Sequence, residues 1–200
     1  MKMIFKERIV AKLYRVRISL YRSLSTIIVY LKCRLWGIEI GEKCSFVGQV
    51  LLYKEPGSIM KIGKNCRFSS SSYTNFRGLN HKCIIQTGLK DAKIIIGNNC
   101  GFSGVSIVCN KLVTIEDNCN FGANVSIGDR DDHRDCYATE DKEIHIGKNT
   151  WLGMNVTVLK GCTIGANVVI GANSVVTKNI PDNSVAVGIP AKVIKKRCQL

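Results

Sequence analysis

A six-residue rhythm constrains this chain more than any other feature. From Ile146 the sequence reads IGKNTW LGMNVT VLKGCT IGANVV IGANSV, so Ile146, Leu152, Val158, Ile164, Ile170 and Val176 recur six apart. Gly147, Gly153, Gly165 and Gly171 follow four of them, and Thr150, Val156, Cys162, Val168 and Ser174 fill the fourth place after each of the first five. The same phase runs through Ile96, Phe102 and Val108, through Ile115, Phe121 and Ile127, and weakly through Ile40, Phe46 and Leu52. A period of six is neither helical nor the alternation of a simple strand. It spells a short strand and a turn, repeated. The aliphatic residue should point inward, and the small residue four later should also point inward near the corner. The adjacent glycine is expected to relax the turn. One such unit cannot bury its own apolar face, so units must stack. The expected product is an all-β chain, a parallel β-helix with stacked aliphatic columns.

Cysteine usage fits that slot pattern. The chain has ten cysteines and no CxxC pair. Cys44, Cys66, Cys100, Cys119 and Cys162 each lie four residues after Ile40, Ile62, Ile96, Ile115 and Val158, so they read as small buried hydrophobes. Cys33, Cys83, Cys109, Cys136 and Cys198 have no such explanation in the repeat. No disulfide framework or zinc spacing is expected.

The net charge of +14 is concentrated at the two ends. Residues 1–37 carry nine Lys/Arg and one acid, and residues 192–197 add Lys192, Lys195, Lys196 and Arg197, leaving the body only +2. A body so nearly neutral is not a nucleic-acid platform. The N-terminal stretch has its own period. Ile9, Leu13, Val16, Leu20, Leu24, Ile27, Leu31 and Leu35 step by four or three, one stripe of an amphipathic helix flanked by Lys6, Lys12, Arg15, Arg22 and Lys32. Two readings stand: the stripe packs on the β-helix or a neighbouring subunit, or it lies on an anionic membrane as a peripheral contact through residues 1–35. No run of 18 uncharged apolar residues exists, and Lys6, Glu7, Arg8 and Lys12 interrupt any signal core, so a cytoplasmic setting is expected. The expected organisation is a basic helix at 1–37, a β-helix at 38–180 and a tail at 181–200.

The rhythm stops after Ile127 and resumes at Ile146. Ten of residues 128–143 are charged, and none of that stretch keeps a core period. A loop at 128–145 is expected to leave the coil, and loops on rigid scaffolds often carry function. It holds His133, one of three histidines, with Asp131, Asp132 and Asp135 close by.

The order of a loop histidine after an acid, then IGKNTWLG, a run of hexads and SVVTKNIPDNSVAVGIPAKVIKK resembles the hexapeptide-repeat acyltransferases. Within them it is similar to the maltose and galactoside O-acetyltransferase group and its surface-polysaccharide branch. The resemblance covers about residues 38–195 and is strongest over 146–194. It implies a left-handed coil, against the usual right-handed rule for parallel crossovers. It also implies acetyl-CoA as donor, a sugar hydroxyl as acceptor, no metal, and a homotrimer with sites between subunits. His133 then acts as general base, a task its unperturbed pKa near 6.5 suits, and Asp131 orients it or stabilises its charge. Ser103 falls about where the galactoside enzymes carry an acceptor-side Asn, a departure from the pattern; Asn124 is a second polar candidate there, or a turn cap. Trp151, Ala172, Thr177 and Lys178 match CoA-contacting positions. Lys192 and Lys195 stand where the galactoside enzymes have Arg, and Met154 replaces a Ser.

Alternatives within the same fold remain open at this level. An N-acyltransferase on a nucleotide amino sugar and a non-catalytic scaffold share the repeat. The γ-class carbonic anhydrases share this fold and carry a closely spaced zinc-binding His pair in one loop, whereas here His133 and His145 are twelve apart and His81 is remote in sequence.

Overall fold

The computed structural model describes residues 2–131 and 140–197. It opens with helix α1 (Lys2–Leu35). No glycine or proline interrupts that segment, and Gly37 ends it with φ of 61°. Gly37 N–H donates to Arg34 O and Ile38 N–H to Cys33 O, a Schellman closure of the helix.

The rest is a parallel coil of three sheets. The first holds β1 (Glu39–Ile40), β4 (Ile59–Ile62), β7 (Lys93–Ile96), β10 (Leu112–Ile115), β13 (Ile144–Ile146) and β16 (Thr163–Ile164). The second holds β2 (Ser45–Val47), β5 (Arg67–Ser69), β8 (Gly101–Ser103), β11 (Asn120–Ala123), β14 (Trp151–Leu152), β17 (Val169–Ile170), β19 (Ser184–Gly188) and β20 (Ala191–Lys196). The third holds β3 (Leu51–Tyr53), β6 (Ile84–Thr87), β9 (Ser106–Cys109), β12 (Ser126–Gly128), β15 (Thr157–Val158) and β18 (Val175–Val176). Up to β18 the chain visits the sheets in strict rotation, so each coil has three strands and three corners. Ile146 pairs with Ile164, Leu152 with Ile170 and Val158 with Val176, a register of three hexads per coil. Among the described residues only β19 and β20 run antiparallel, in a hairpin at the end of the second sheet.

The core is a set of columns. Ile96, Ile115, Ile146 and Ile164 stack under the first sheet, all buried. Phe46, Phe68, Phe102 and Phe121 stack under the second with centroids 4.8, 4.6 and 4.8 Å apart and nearly parallel rings. Leu152 and Ile170 continue that column. The five slot cysteines are buried as expected, and so are Cys33, Cys83 and Cys109. Burial, with the Cys44 thiol close by, pushes the Cys33 thiol up to about 11, so it is inert at neutral pH.

Two expectations need correction. Gly147, Gly153, Gly165 and Gly171 do not supply the left-handed backbone of the turns. That conformation falls two residues later, on Asn149, Asn155, Asn167 and Asn173, with φ of 55° to 60°. Asparagine tolerates it through its short amide, and the amides link coil to coil: Asn149 Nδ2 donates to Asn167 Oδ1 at 3.0 Å, and Asn155 to Asn173 at 3.0 Å. The glycines serve close approach instead. A Cβ on Gly153 would lie 2.6 Å from Ala172 N, and one on Gly147 2.6 Å from Ala166 N. The second correction concerns Val108, which is half-buried, while Ile107 is the fully buried residue of that coil. The corner after Phe102 is one residue shorter than its neighbours and turns on Gly104, with φ of 55°.

Helix α1 covers the open first coil. Ser25, Val29 and Cys33 are buried against it. Thr26 Oγ1 accepts from Phe46 N at 3.0 Å, and Tyr30 OH donates to Gly41 O at 2.8 Å and accepts from Cys44 N at 3.2 Å. These side chains serve backbone groups of a strand that would otherwise be an exposed edge. The stripe Ile9 to Leu35 is not the face that packs on the coil; those eight residues are exposed.

Candidate functional site

The third sheet ends in a buried polar row. Alternation along its strands turns Ile85 and Thr87, Ile107 and Cys109, and Ile127 and Asp129 inward. Asp129 is fully buried, yet its carboxylate is fully served. Oδ1 accepts from Asn110 N at 2.7 Å, and Oδ2 accepts from Lys111 N at 2.8 Å, Leu112 N at 2.9 Å and Cys109 Sγ at 3.2 Å. Three backbone N–H groups converge on one ion, the arrangement that makes a buried carboxylate tolerable. Burial first, and then the Asp129 charge, push the Cys109 thiol up, so it stays protonated and donates.

Asp129 is also the foot of the charged loop. Its carbonyl accepts from Lys142 N at 3.0 Å, and Lys142 O accepts from Gly161 N at 3.1 Å, so both ends of the loop are tied to the third-to-first corner. Asn110 extends the tie: its Nδ2 donates to Asp141 Oδ2 at 3.1 Å, and its Oδ1 accepts from Arg130 Nη1 at 3.2 Å. Asp131 forms an ion pair with Lys160, from the corner one coil on. Lys160 is the more enclosed partner, with 14% of its side chain exposed against 40% for Asp131. His133, Asp132, Asp135 and Cys136 lie outside the described residues.

The expected site residues fall on three separate edges of the coil. Asp131, Thr177 and Lys178 sit at the third-to-first corner, where Thr177 and Lys178 are exposed. Ser103 and Ala172 sit at the second-to-third corner, with Asn124 and Met154 beside them. Trp151 opens β14 at the first-to-second corner, 55% exposed, near Asn149 and Arg197. Lys192 and Lys195 are exposed on β20. One chain therefore brings Asp131, Lys160, Thr177 and Lys178 to one corner and leaves Ser103 on another. Asn124 caps a turn as its second reading has it. It adopts φ of 60°, accepts from Asn80 N at 2.9 Å and donates to Gly78 O at 3.2 Å, holding the excursion Ser70–Lys82. His81 lies in that excursion and His145 lies on β13 facing Glu116 at 3.3 Å. Among the described residues, no three His, Cys, Asp or Glu side chains are grouped to hold a metal ion.

The sequence reading missed Asp129, Asn110 and Lys160. Asp129 was recoverable: Val125, Ile127 and Asp129 alternate inward, so the strand's own period places the acid inside. Asn110 and Lys160 carry no such signal, because each is set by what lies one coil away.

A three-sheet hexad coil with a charged loop at one corner defines a class, and comparison with known proteins agrees. Residues 143–178 match the pattern described as bacterial transferase hexapeptide (six repeats), and residues 112–128 match the hexapeptide repeat of succinyl-transferase. The chain therefore carries the hexapeptide repeats of bacterial transferases, and its solved neighbours are acetyltransferases of the left-handed parallel β-helix fold. It is 36% identical over 163 residues to a galactoside O-acetyltransferase of Lactococcus lactis subsp. lactis, covering 79% of this chain and 62% of that protein. Other curated relatives, acetyltransferases of Staphylococcus aureus by name, match over only 27% of their length. Among solved structures, it is similar to the polySia specific acetyltransferase NeuO at 26% identity, with a TM-score of 0.60 over 80% of this chain and 75% of that one. It is also similar to a galactoside acetyltransferase in complex with coenzyme A, at 28% identity and a TM-score of 0.50 over 79% and 64%.

Proposed function

We propose that this chain is an acetyl-CoA-dependent O-acetyltransferase acting on a sugar hydroxyl of a surface polysaccharide or its lipid-linked precursor. The observation that carries the reading is the 36% identity to a galactoside O-acetyltransferase across 163 residues. The names of the polySia-specific and CoA-bound neighbours support the acceptor class and the donor.

In this reading the His133 imidazole takes the proton of the acceptor hydroxyl as its oxygen attacks the thioester carbonyl. A carbon–oxygen bond forms, the tetrahedral intermediate collapses, the carbon–sulfur bond breaks, and the imidazolium returns its proton to the departing CoA thiolate. No acyl-enzyme is needed. Asp131, fixed by Lys160, supplies negative charge near the base. Ser103 lies on the acceptor side as a donor to the developing oxyanion. Ala172, Thr177 and Lys178 contact the pantetheine arm and Lys192 and Lys195 meet the CoA phosphates, whereas Trp151, on the first-to-second corner, lies away from that seam.

Ser103 and Asp131 lie on different corners, one coil apart, so one acceptor cannot reach both within one chain. A homotrimer that sets the second-to-third corner of one copy beside the third-to-first corner of the next would join them. The test is turnover of acetyl-CoA with a panel of free and lipid-linked saccharides, read as CoA thiol release. His133→Ala is expected to lower turnover by about 10²–10⁴-fold while acetyl-CoA binding persists. Parental turnover in that variant would remove His133 as base, and transfer to amino sugars alone would replace the hydroxyl acceptor.

A further inference from the structure

Helix α1 has two usable faces, and the coil occupies only one. Ser25, Val29 and Cys33 face the first coil. Ile9, Leu13, Val16, Leu20, Leu24, Ile27, Leu31 and Leu35 are 44% to 86% exposed. At about 100° of rotation per residue, these eight lie on the side of the helix opposite the three buried ones. The stripe also repeats in elevens: Ile9, Leu20 and Leu31 are equivalent, as are Leu13, Leu24 and Leu35. That spacing is about 3.67 residues per turn, close to the 3.6 of a straight helix and away from the 3.5 of a left-handed coiled-coil seam. A straight stripe fits a flat surface.

Charge says which surface. Residues 1–37 carry nine Lys/Arg against Glu7 alone. Lys12 and Arg17 are exposed at the margins of the stripe, and Arg8, Arg15 and Arg22 are exposed further round. Laying this helix against a second copy of itself would bring like charges together with only Glu7 to offset them. An anionic surface is complementary. Tyr14 and Tyr21 are 40% exposed on the same helix, with the apolar body and polar tip that suit a lipid–water interface. Among the described residues no helix is long and apolar enough to cross a membrane, so the fit is to lying on one.

We propose that α1 seats its Ile9–Leu35 stripe on an anionic lipid bilayer, with Lys12 and Arg17 reaching the headgroups and the coil held on the far side through Val29 and Cys33. This does not depend on the acyl-transfer reading. The test uses the full chain in co-sedimentation with phosphatidylcholine vesicles, with and without phosphatidylglycerol. Binding is expected only to the phosphatidylglycerol vesicles and should weaken as salt rises. Leu13→Glu with Leu20→Glu and Leu31→Glu should abolish binding with an unchanged far-ultraviolet circular dichroism spectrum, because those side chains are mostly exposed. The milder Lys12→Gln with Arg17→Gln should weaken binding on the order of tenfold. Failure of the parent chain to bind phosphatidylglycerol vesicles overturns the proposal. So does a stripe variant that binds as the parent does, or one whose only change is lost self-association by light scattering, which would make a second copy the occupant.

Discussion

Two segments leave the coil, and they are held in different ways. Ser70–Lys82 departs between β5 and β6 and is tied by neutral groups. Ser70 Oγ donates to Gln49 O and accepts from Cys83 N at 2.8 Å, and the Asn124 amide clasps Gly78 and Asn80. The second lies between β12 and β13, and its described ends, residues 130–131 and 140–143, meet at a buried carboxylate, Asp129, which accepts from three backbone N–H groups. Beneath both, the columns run on unbroken. Phe68 still stacks on Phe102 at 4.6 Å across the first departure, and Ile115 still pairs with Ile146 across the second. The difference teaches that the coil tolerates insertions because stacking, not chain continuity, carries the register. What varies is how firmly each insertion's foot is set.

The largest effect should come from the column both segments depend on. Phe102→Ala removes a ring stacked on both sides and should cost about 3–5 kcal/mol in chemical denaturation. Both excursions should become protease-sensitive together, as cleavage mapping would show. Sensitivity at one excursion alone would mean that the feet, not the column, hold them.

Asp129→Ala strikes one foot. It strands the partly buried amides of Asn110, Lys111 and Leu112, and each unmet group costs up to about 1–3 kcal/mol before water or relaxation repairs it. A net loss of about 3 kcal/mol is expected, with cleavage confined to 130–143 and 70–83 still protected. Hydrogen exchange should locate the newly exposed amides at 110–112. Slow exchange there in the variant would contradict the anchoring role.

The coil was legible in the sequence because its physics is local and repeated. Ile146 to Val176 state the strand, the corner and the stacking direction in one phase. The corners were less legible, since glycine and asparagine share each one and only geometry assigns close approach to Gly153 and the left-handed turn to Asn155. Val108 misled because a corner shortened at Gly104 moves the phase by one, and a fixed period cannot see a deletion. At the candidate site, the loop and Asp131 could be read along the chain. Lys160 could not, because its place beside Asp131 exists only once coils are stacked. The stripe on α1 was visible as a period, but a period does not say which face of a helix the body will take. Ser25, Thr26 and Tyr30 win that face by serving the edge of β2 and the adjoining turn, a contest that hydrophobicity alone would have given to the leucines.

Ser70→Ala supplies the smallest and sharpest comparison. It removes a neutral hydroxyl that bridges Gln49 O and Cys83 N, so one donor and one acceptor of the backbone lose a partner. A neutral hydrogen bond contributes about 0.5–1.5 kcal/mol net, and the Asn124 clasp remains in place on the same excursion. The expected loss is therefore about 1 kcal/mol, with modest cleavage at 70–83, an unaltered 130–143 segment, and hydrogen exchange that quickens at Cys83 alone. A loss equal to that of Asp129→Ala would break the comparison, because it would show that the neutral foot bears as much as the ionic one.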